Sequence, residues 1–280
     1  VKSKDELAAE QAAFWKGPGS KMWLAAYERI QRGVTGFGDA ALAATDPRPG
    51  EKVVDIGCGT GDTTAMLAKA VGERGYVLGV DIAETLVAVA REKKLSNATF
   101  DVGDATSFPF EAGAFDLVFS RFGVMFFADP VAAFRNLRRA LKPGGRLVFV
   151  CWRMPAENPW ALVPMRAAAP HLPPIDRPGP EDPGQYSFGD RARVERILIQ
   201  AGFATPTFQP LDEMLTQGKD IPDVLERIVE FGPLARLFKE STPEQVEKAK
   251  AAIADALKPY VTPEGVRLAG ACWLVTAAHS

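Results

Sequence analysis

Residues 53–64 read Val-Val-Asp-Ile-Gly-Cys-Gly-Thr-Gly-Asp-Thr-Thr. An acid, Asp55, sits in a β-branched run and is followed by three alternate glycines, Gly57, Gly59 and Gly61. Such a loop lets the backbone pass close to a ligand, because no Cβ blocks the approach. The helical pattern that follows places the loop between a strand and a helix, where open α/β sheets bind nucleotide-like ligands.

The spacing separates two cofactor chemistries. A dinucleotide fingerprint reads G-x-G-x-x-G and seats a pyrophosphate on the helix N-terminus. Here the loop reads G-x-G-x-G, and Asp62 stands where that fingerprint wants glycine. Asp55 and Asp62 would put two carboxylates beside the pyrophosphate. A cationic, phosphate-free ligand suits them better. S-adenosylmethionine, with an α-ammonium and a sulfonium, is such a ligand; a nicotinamide oxidoreductase is the alternative.

Three further places carry polar groups where strands should end. Asp81 closes Val-Leu-Gly-Val and could accept both hydroxyls of a ribose; with Glu84 it also fits a helix capping box. Asp104, in Gly103-Asp104-Ala105, could accept from an exocyclic amine such as that of adenine, or serve as a turn residue. Ser120-Arg121 closes the next strand, followed by an apolar wall of Phe122, Val124, Met125, Phe126 and Phe127.

The elements that must position these groups alternate. Strands are expected near 52–56, 76–80, 98–102, 115–120, 146–152 and 203–211, with a last one near 271–277. Helices fill the intervals, which argues for a parallel sheet covered on both faces. Asp129-Pro130 and Asp190 mark helix starts, and Thr242-Pro243 with Gln245 reads as a capping box. Residues 1–45 read as a helical cap broken at Gly17-Pro18, and Asp46–Gly50 as a linker. The core is expected over 50–212 and 265–280, and a helical lid insertion over 213–264. The Pro-rich stretch 154–188 shows little period and reads as an irregular cover.

In order and spacing, these motifs resemble the class I S-adenosylmethionine-dependent methyltransferases. The likeness is greatest to the methyltransferase type 11 group, which contains ubiquinone and menaquinone C-methyltransferases. It rests on Val-Asp-Ile-Gly-Cys-Gly-Thr-Gly, Gly-Val-Asp81-Ile, Gly-Asp104-Ala, Phe-Asp-Leu-Val-Phe-Ser120 and Leu-Lys-Pro-Gly-Gly-Arg-Leu, and is strong over 50–152. It implies a Rossmann-like, seven-stranded, mostly parallel sheet with the last strand antiparallel. It also implies that Asp55, Gly57, Cys58 and Gly59 line the methionine end of the cofactor. Asp81 and Ile82 would hold the ribose and flank the adenine, Asp104 and Ala105 meet its amine, and Ser120 and Arg121 lie near the methyl donor. Trp15, Trp23 and Tyr27 are candidates to close over the cofactor. No residue is singled out as a general base.

Composition and absences narrow the acceptor. The 280 residues carry a formal net charge of −2, with 47% hydrophobic and 24% charged side chains. Neither this balance nor any basic stripe with aromatics points to nucleic acid. No apolar run approaches the roughly 18 residues that span a bilayer. The charged opening Val1–Glu6 has no secretory pattern, and Cys58, Cys151 and Cys272 make no C-x-x-C, which together suggest a reducing, cytoplasmic compartment. Ser-Arg-Phe-Gly after the fourth strand replaces the Asn/Asp-Pro-Pro-Tyr/Phe of amino methylation, no acidic cluster suggests Mg²⁺, and His171 and His279 lie outside the motifs. The expected reaction is in-line methyl transfer to carbon or oxygen of a small, fairly apolar molecule. A protein or RNA methyltransferase is a weaker alternative.

Overall fold

The computed structural model describes residues 3–174, 179, 182–229 and 233–279. The chain opens with three helices, α1 (Lys4–Lys16), α2 (Pro18–Ala25) and α3 (Tyr27–Thr45). Ser3 and Glu6 form a capping box on α1, and Pro18 starts α2 at a position that tolerates a missing N–H. The core follows as β1 (Lys52–Ile56), α4 (Asp62–Val71), β2 (Tyr76–Asp81), α5 (Glu84–Arg91), β3 (Ala98–Val102), β4 (Phe115–Arg121), α6 (Pro130–Ala140) and β5 (Leu141–Trp152). Then come α7 (Pro159–Ala168), α8 (Arg191–Gln200), β6 (Thr207–Gly218), α9 (Ile221–Ile228), α10 (Pro233–Lys239), α11 (Pro243–Leu257), β7 (Val261–Thr262) and β8 (Gly265–Ala278).

The strands form one sheet in the order β3-β2-β1-β4-β5-β8-β6, with the two-residue β7 paired to β8. Pairings among the first five are parallel; β8 runs antiparallel to both β5 and β6. The expected sheet and its reversed last strand are therefore present. Its central strands are buried on both faces: Val53, Val54, Leu117, Val118, Leu147 and Phe149 are all essentially inaccessible. That is why they read as continuous apolar runs rather than alternating ones. The strand order reverses between β1 and β4, the switch point beside which open α/β sheets bind their ligands.

The predicted caps are formed. The Asp129, Asp190 and Thr242 side chains accept from Ala132, Ala192 and Gln245 N–H groups. Four expectations change. The sixth strand begins later and ends later than read, at Thr207–Gly218, because it pairs along nearly the whole of the 14-residue β8. Residues 213–218 thus belong to the sheet and not to the lid. Pro143-Gly144-Gly145 does not precede β5 but lies within it, where Gly144 and Gly145 exchange backbone hydrogen bonds with His279. The stretch read as irregular contains α7, hidden by Pro164 inside it and by the lack of a polar face.

Asn158 explains how α7 is held. Its Nδ2 donates to the carbonyls of Arg153, Met154 and Ala271, and its Oδ1 accepts from Ala271 N–H and Trp160 Nε1. This buried amide fixes α7 to β8 and orients Trp160. A second hydrophobic cluster then joins α7, α9, α10 and α11 over β8, with Leu234, Leu237, Ile253, Leu257 and Leu268 at its centre.

Candidate active site

A cavity of about 590 Å³ opens above the carboxyl ends of β1, β2 and β4. Gly57, Cys58, Gly59, Asp81, Ile82, Asp104, Ala105 and Arg121 all line it. Of the residues expected at the site, Asp55 and Ser120 do not.

The glycine loop is shaped by contacts that a side chain would break. Gly57 has φ +67°, and a Cβ there would fall 2.8 Å from the Gly123 Cα, so the loops after β1 and β4 touch backbone to backbone. Gly59 has φ +55°, and its Cβ would instead project into open space, with the Trp23 Cη2 nearest at 3.8 Å. One glycine thus permits close packing, and the next keeps the floor of the cavity clear.

Asp55 lies fully buried beneath this floor. The Thr63 and Thr64 hydroxyls both donate to its Oδ2 at 2.6 Å, whereas its Oδ1 has no hydrogen-bond partner. Burial raises its pKa to about 6, against the two threonine hydrogen bonds and the Arg121 charge, with Asp81 adding repulsion. Asp81 accepts from Gly59 N–H on Oδ2 and from Ala83 N–H on Oδ1, both at 2.9 Å. It therefore ties the loop after β1 to the turn after β2, and the capping-box reading falls away: Ala83 is the N-cap of α5. Each Asp81 oxygen keeps a lone pair for a ligand hydroxyl. Burial pushes Asp81 upward, while the Ala83, Gly59 and Ile82 N–H groups pull it back. Asp104 accepts from Thr106 N–H at 2.7 Å on Oδ1 and closes the turn after β3.

Cys58 is buried, and burial together with Asp55 and Asp81 pushes its thiol well up, so it stays protonated. Ser120 is a tether and not a cavity residue: its Oγ donates to the Ile56 carbonyl at 2.7 Å and joins the ends of β4 and β1. Arg121 turns toward the cap, donating from Nη2 to Gln31 Oε1 at 3.0 Å. Burial lowers its pKa, and the charges of Asp55 and Asp62 oppose that.

Asp62, expected beside the cofactor, does not line the cavity. Asp62 accepts from Tyr27 Oη at 2.7 Å, Gln31 Nε2 at 3.1 Å and Thr60 Oγ1 at 2.9 Å, and pairs with Lys93 at 2.9 Å. Burial disfavours its charge, yet the Tyr27, Lys93 and Thr60 hydrogen bonds hold it below the usual carboxylate range. Its charge is spent on docking α3. Among the cap aromatics, Trp15 and Trp23 line the cavity; Tyr27 does not and serves this latch.

Sequence reasoning left the far half of the cavity unassigned. Its wall includes Trp152, Trp160, Met165, Leu215, Val224 and Leu257. Phe122 lines the cavity as well. It is a non-glycine residue at φ +65°, held there by stacking on Trp152 at 4.9 Å and 16° and by its N–H bond to the Val150 carbonyl. No sequence period announces these residues, which come from β5, α7, β6, α9 and α11. Only the buried Asn158 beside Pro159-Trp160 hints at a fixed aromatic.

A doubly wound sheet with a glycine loop after β1, and acids after β2 and β3, defines a Rossmann-like nucleotide-cofactor protein. Residues 53–145 match a protein-family model described as a methyltransferase domain. The chain is 32% identical over 217 residues to an uncharacterized 37.1 kDa protein in transposon Tn4556 of Streptomyces fradiae, covering 71% of this chain and 58% of that protein. It is 44% identical over 103 residues to a demethylmenaquinone methyltransferase of Staphylococcus aureus, covering 36% of this chain and 43% of that one. The chain thus spans about half the length of these curated relatives. In fold it resembles phosphoethanolamine N-methyltransferase 2 of Haemonchus contortus, solved with S-adenosyl-L-methionine, at TM-score 0.51 and 21% identity, covering 86% of this chain and 51% of that one. Residues 53–145 thus carry a methyltransferase domain. Among the described residues, no helix is long and apolar enough to cross a membrane.

Proposed function

We propose that the protein transfers a methyl group from S-adenosylmethionine to carbon or oxygen of a small, largely apolar acceptor. The observation that carries this reading is one continuous cavity with two unlike halves. Asp81, Asp104 and the bare Gly59 backbone floor one half; Trp160, Met165, Leu215 and Leu257 wall the other. Its volume lies within the ~300–1,000 Å³ usual for small-ligand sites.

The residues present fit this cofactor. Asp55 has a buried oxygen without a partner, which suits a nearby ammonium. The space beside Gly59 is one that a Cβ would fill. Asp81 retains lone pairs for two ribose hydroxyls, and Asp104 and Ala105 sit where an adenine amine would reach. When bound, the sulfonium supplies an electrophilic methyl group. The chain's own part is to hold the acceptor in line with it and to keep water out, and alignment of this kind accounts for much of such an acceleration. The cap contributes the roof through Trp15 and Trp23, and the helices α7, α9, α10 and α11 act as a lid over the acceptor half.

The name of the Staphylococcus aureus relative points to a quinone-type acceptor, in keeping with an apolar, aromatic-walled compartment. A nicotinamide reading lacks the glycine spacing. The test is calorimetric titration with S-adenosylhomocysteine and with NAD, followed by transfer of labelled methyl to a panel of apolar phenols, enols and amines. Binding of the first ligand, with label appearing in one acceptor class, supports the reading. Binding of NAD alone overturns it.

A further inference from the structure

Among the described residues that line the cavity there is no histidine, lysine or glutamate. Asp81 and Asp104 both lie on the cofactor side and are already engaged by backbone N–H groups. Burial keeps the Cys58 thiol protonated. Among the described residues, the acceptor half therefore offers no side chain suited to removing a proton from a reluctant hydroxyl. It does offer a hydrogen-bond donor. Tyr186 lines the cavity with Gln185, on the segment between α7 and α8.

Residues 184–189 are fixed to the turn that follows β4. Gly184 N–H and the Ser187 hydroxyl both donate to the Met125 carbonyl, at 3.0 and 2.6 Å. Phe188 is buried against Phe134 and Phe149, and the Trp273 indole N–H donates to the Gly189 carbonyl at 3.1 Å. Tyr186 is thus held between two anchored neighbours. Its oxygen accepts from Gln185 Nε2 at 3.3 Å, and its own proton has no acceptor among the described residues. Burial pushes the phenol up, so it stays protonated as a donor. A half-buried hydroxyl with an unspent proton, beside an apolar chamber with no base among the described residues, suits an acceptor oxygen that carries negative charge.

We propose that Tyr186, with Gln185 beside it, hydrogen-bonds the oxygen of an enolate or phenolate, so that the substrate class is a weakly acidic, apolar enol or phenol. This rests on the methyltransferase reading above and deepens it. The acceptor loses its proton to water before transfer. Its electron pair, on the oxygen or on the conjugated carbon, then forms the new bond to the methyl carbon. The methyl–sulfur bond breaks, and its pair stays on sulfur as the neutral thioether.

Lawsone, an acidic hydroxynaphthoquinone whose anion is coloured, is the probe, with unsubstituted naphthoquinone as the neutral control. Binding is read by absorbance and tryptophan quenching on protein saturated with S-adenosylhomocysteine, across a pH series. We expect lawsone to bind more tightly than naphthoquinone, with affinity rising as its hydroxyl ionises. Tyr186→Phe should weaken lawsone binding about tenfold and flatten that rise, leaving naphthoquinone binding unchanged. Gln185→Leu should do the same about threefold. Arg121 and Arg227 stay in place in both variants, so any residual preference for the anion is theirs. Equal binding of the two quinones, or a Tyr186→Phe profile superimposable on the parent, overturns the proposal. Failure to bind S-adenosylhomocysteine at all overturns the cofactor reading instead, so the two failures are distinguishable.

Discussion

Tyr27 donates its phenolic hydrogen to Asp62 at 2.7 Å, joining the first turn of α3 to the first turn of α4. Gln31 shares the same carboxylate oxygen and also takes a hydrogen bond from Arg121, so the cap is latched to both sides of the crevice. Tyr27→Phe should loosen this latch. A hydrogen bond to a charged group is worth about 1.5–3 kcal/mol when desolvated and less at a half-exposed site. The expected result is a several-fold loss in S-adenosylhomocysteine affinity by calorimetry, with faster proteolysis in residues 3–45 and no change in the unfolding midpoint of the core.

Gly59→Ala should act on the ligand more than on the fold. The added methyl group occupies cavity space, and the left-handed backbone costs about 1–2 kcal/mol for a residue with a Cβ. Denaturant melts should show a loss of that order. Cofactor affinity should fall by at least about tenfold; unchanged affinity would show that the loop does not seat the cofactor.

Asp55 carries a pH signature. Its pKa is raised in the fold to about 6 from 3.8, so the folded protein binds the extra proton between those values. The associated stability is fully present below the unfolded pKa and lost as pH rises through about 6, an effect on the order of 3 kcal/mol for the ligand-free protein. A cation beside its free oxygen favours the charged form. S-adenosylmethionine affinity should therefore increase from pH 5 to about pH 7, and Asp55→Asn should flatten that profile and raise ligand-free stability near neutrality. A profile unaltered by the substitution would separate Asp55 from the cofactor.

Ser120→Ala tests whether that residue is a tether. Loss of the buried hydrogen bond to the Ile56 carbonyl should cost about 1–2 kcal/mol in urea unfolding. S-adenosylhomocysteine affinity should change less than about threefold.

Met165→Trp should separate the two halves of the cavity. The larger side chain fills space under α7, so acceptor turnover should fall by about tenfold or more while S-adenosylhomocysteine titrates as before. Equal loss of both would mean that the halves are not independent.

The sheet and its cofactor end were legible because their signals are local. Asp55, Gly57 and Gly59 lie within five residues, Asp81 closes a strand whose apolar run announces it, and Asp104 follows two residues after β3. Strand boundaries that depend on partners were less so: β6 reaches Gly218 because β8 runs alongside it, and nothing within 213–218 alone requires that. The helix α7 was masked because its polar anchor, Asn158, works across the chain on Ala271.

By itself the sequence determined the strand–loop–helix units and the chemistry at their ends, since backbone freedom at glycine and the charge of an acid are properties of single residues and short spacings. Tertiary structure alone decided how those groups are used. It spent Asp62 on the cap and Ser120 on a strand tether, left one oxygen of the buried Asp55 without a partner, and gathered Phe122, Trp152, Trp160 and Tyr186 into one apolar chamber. The reason is physical: burial, hydrogen-bond satisfaction and cavity shape depend on groups far apart in the chain, and no local pattern encodes them.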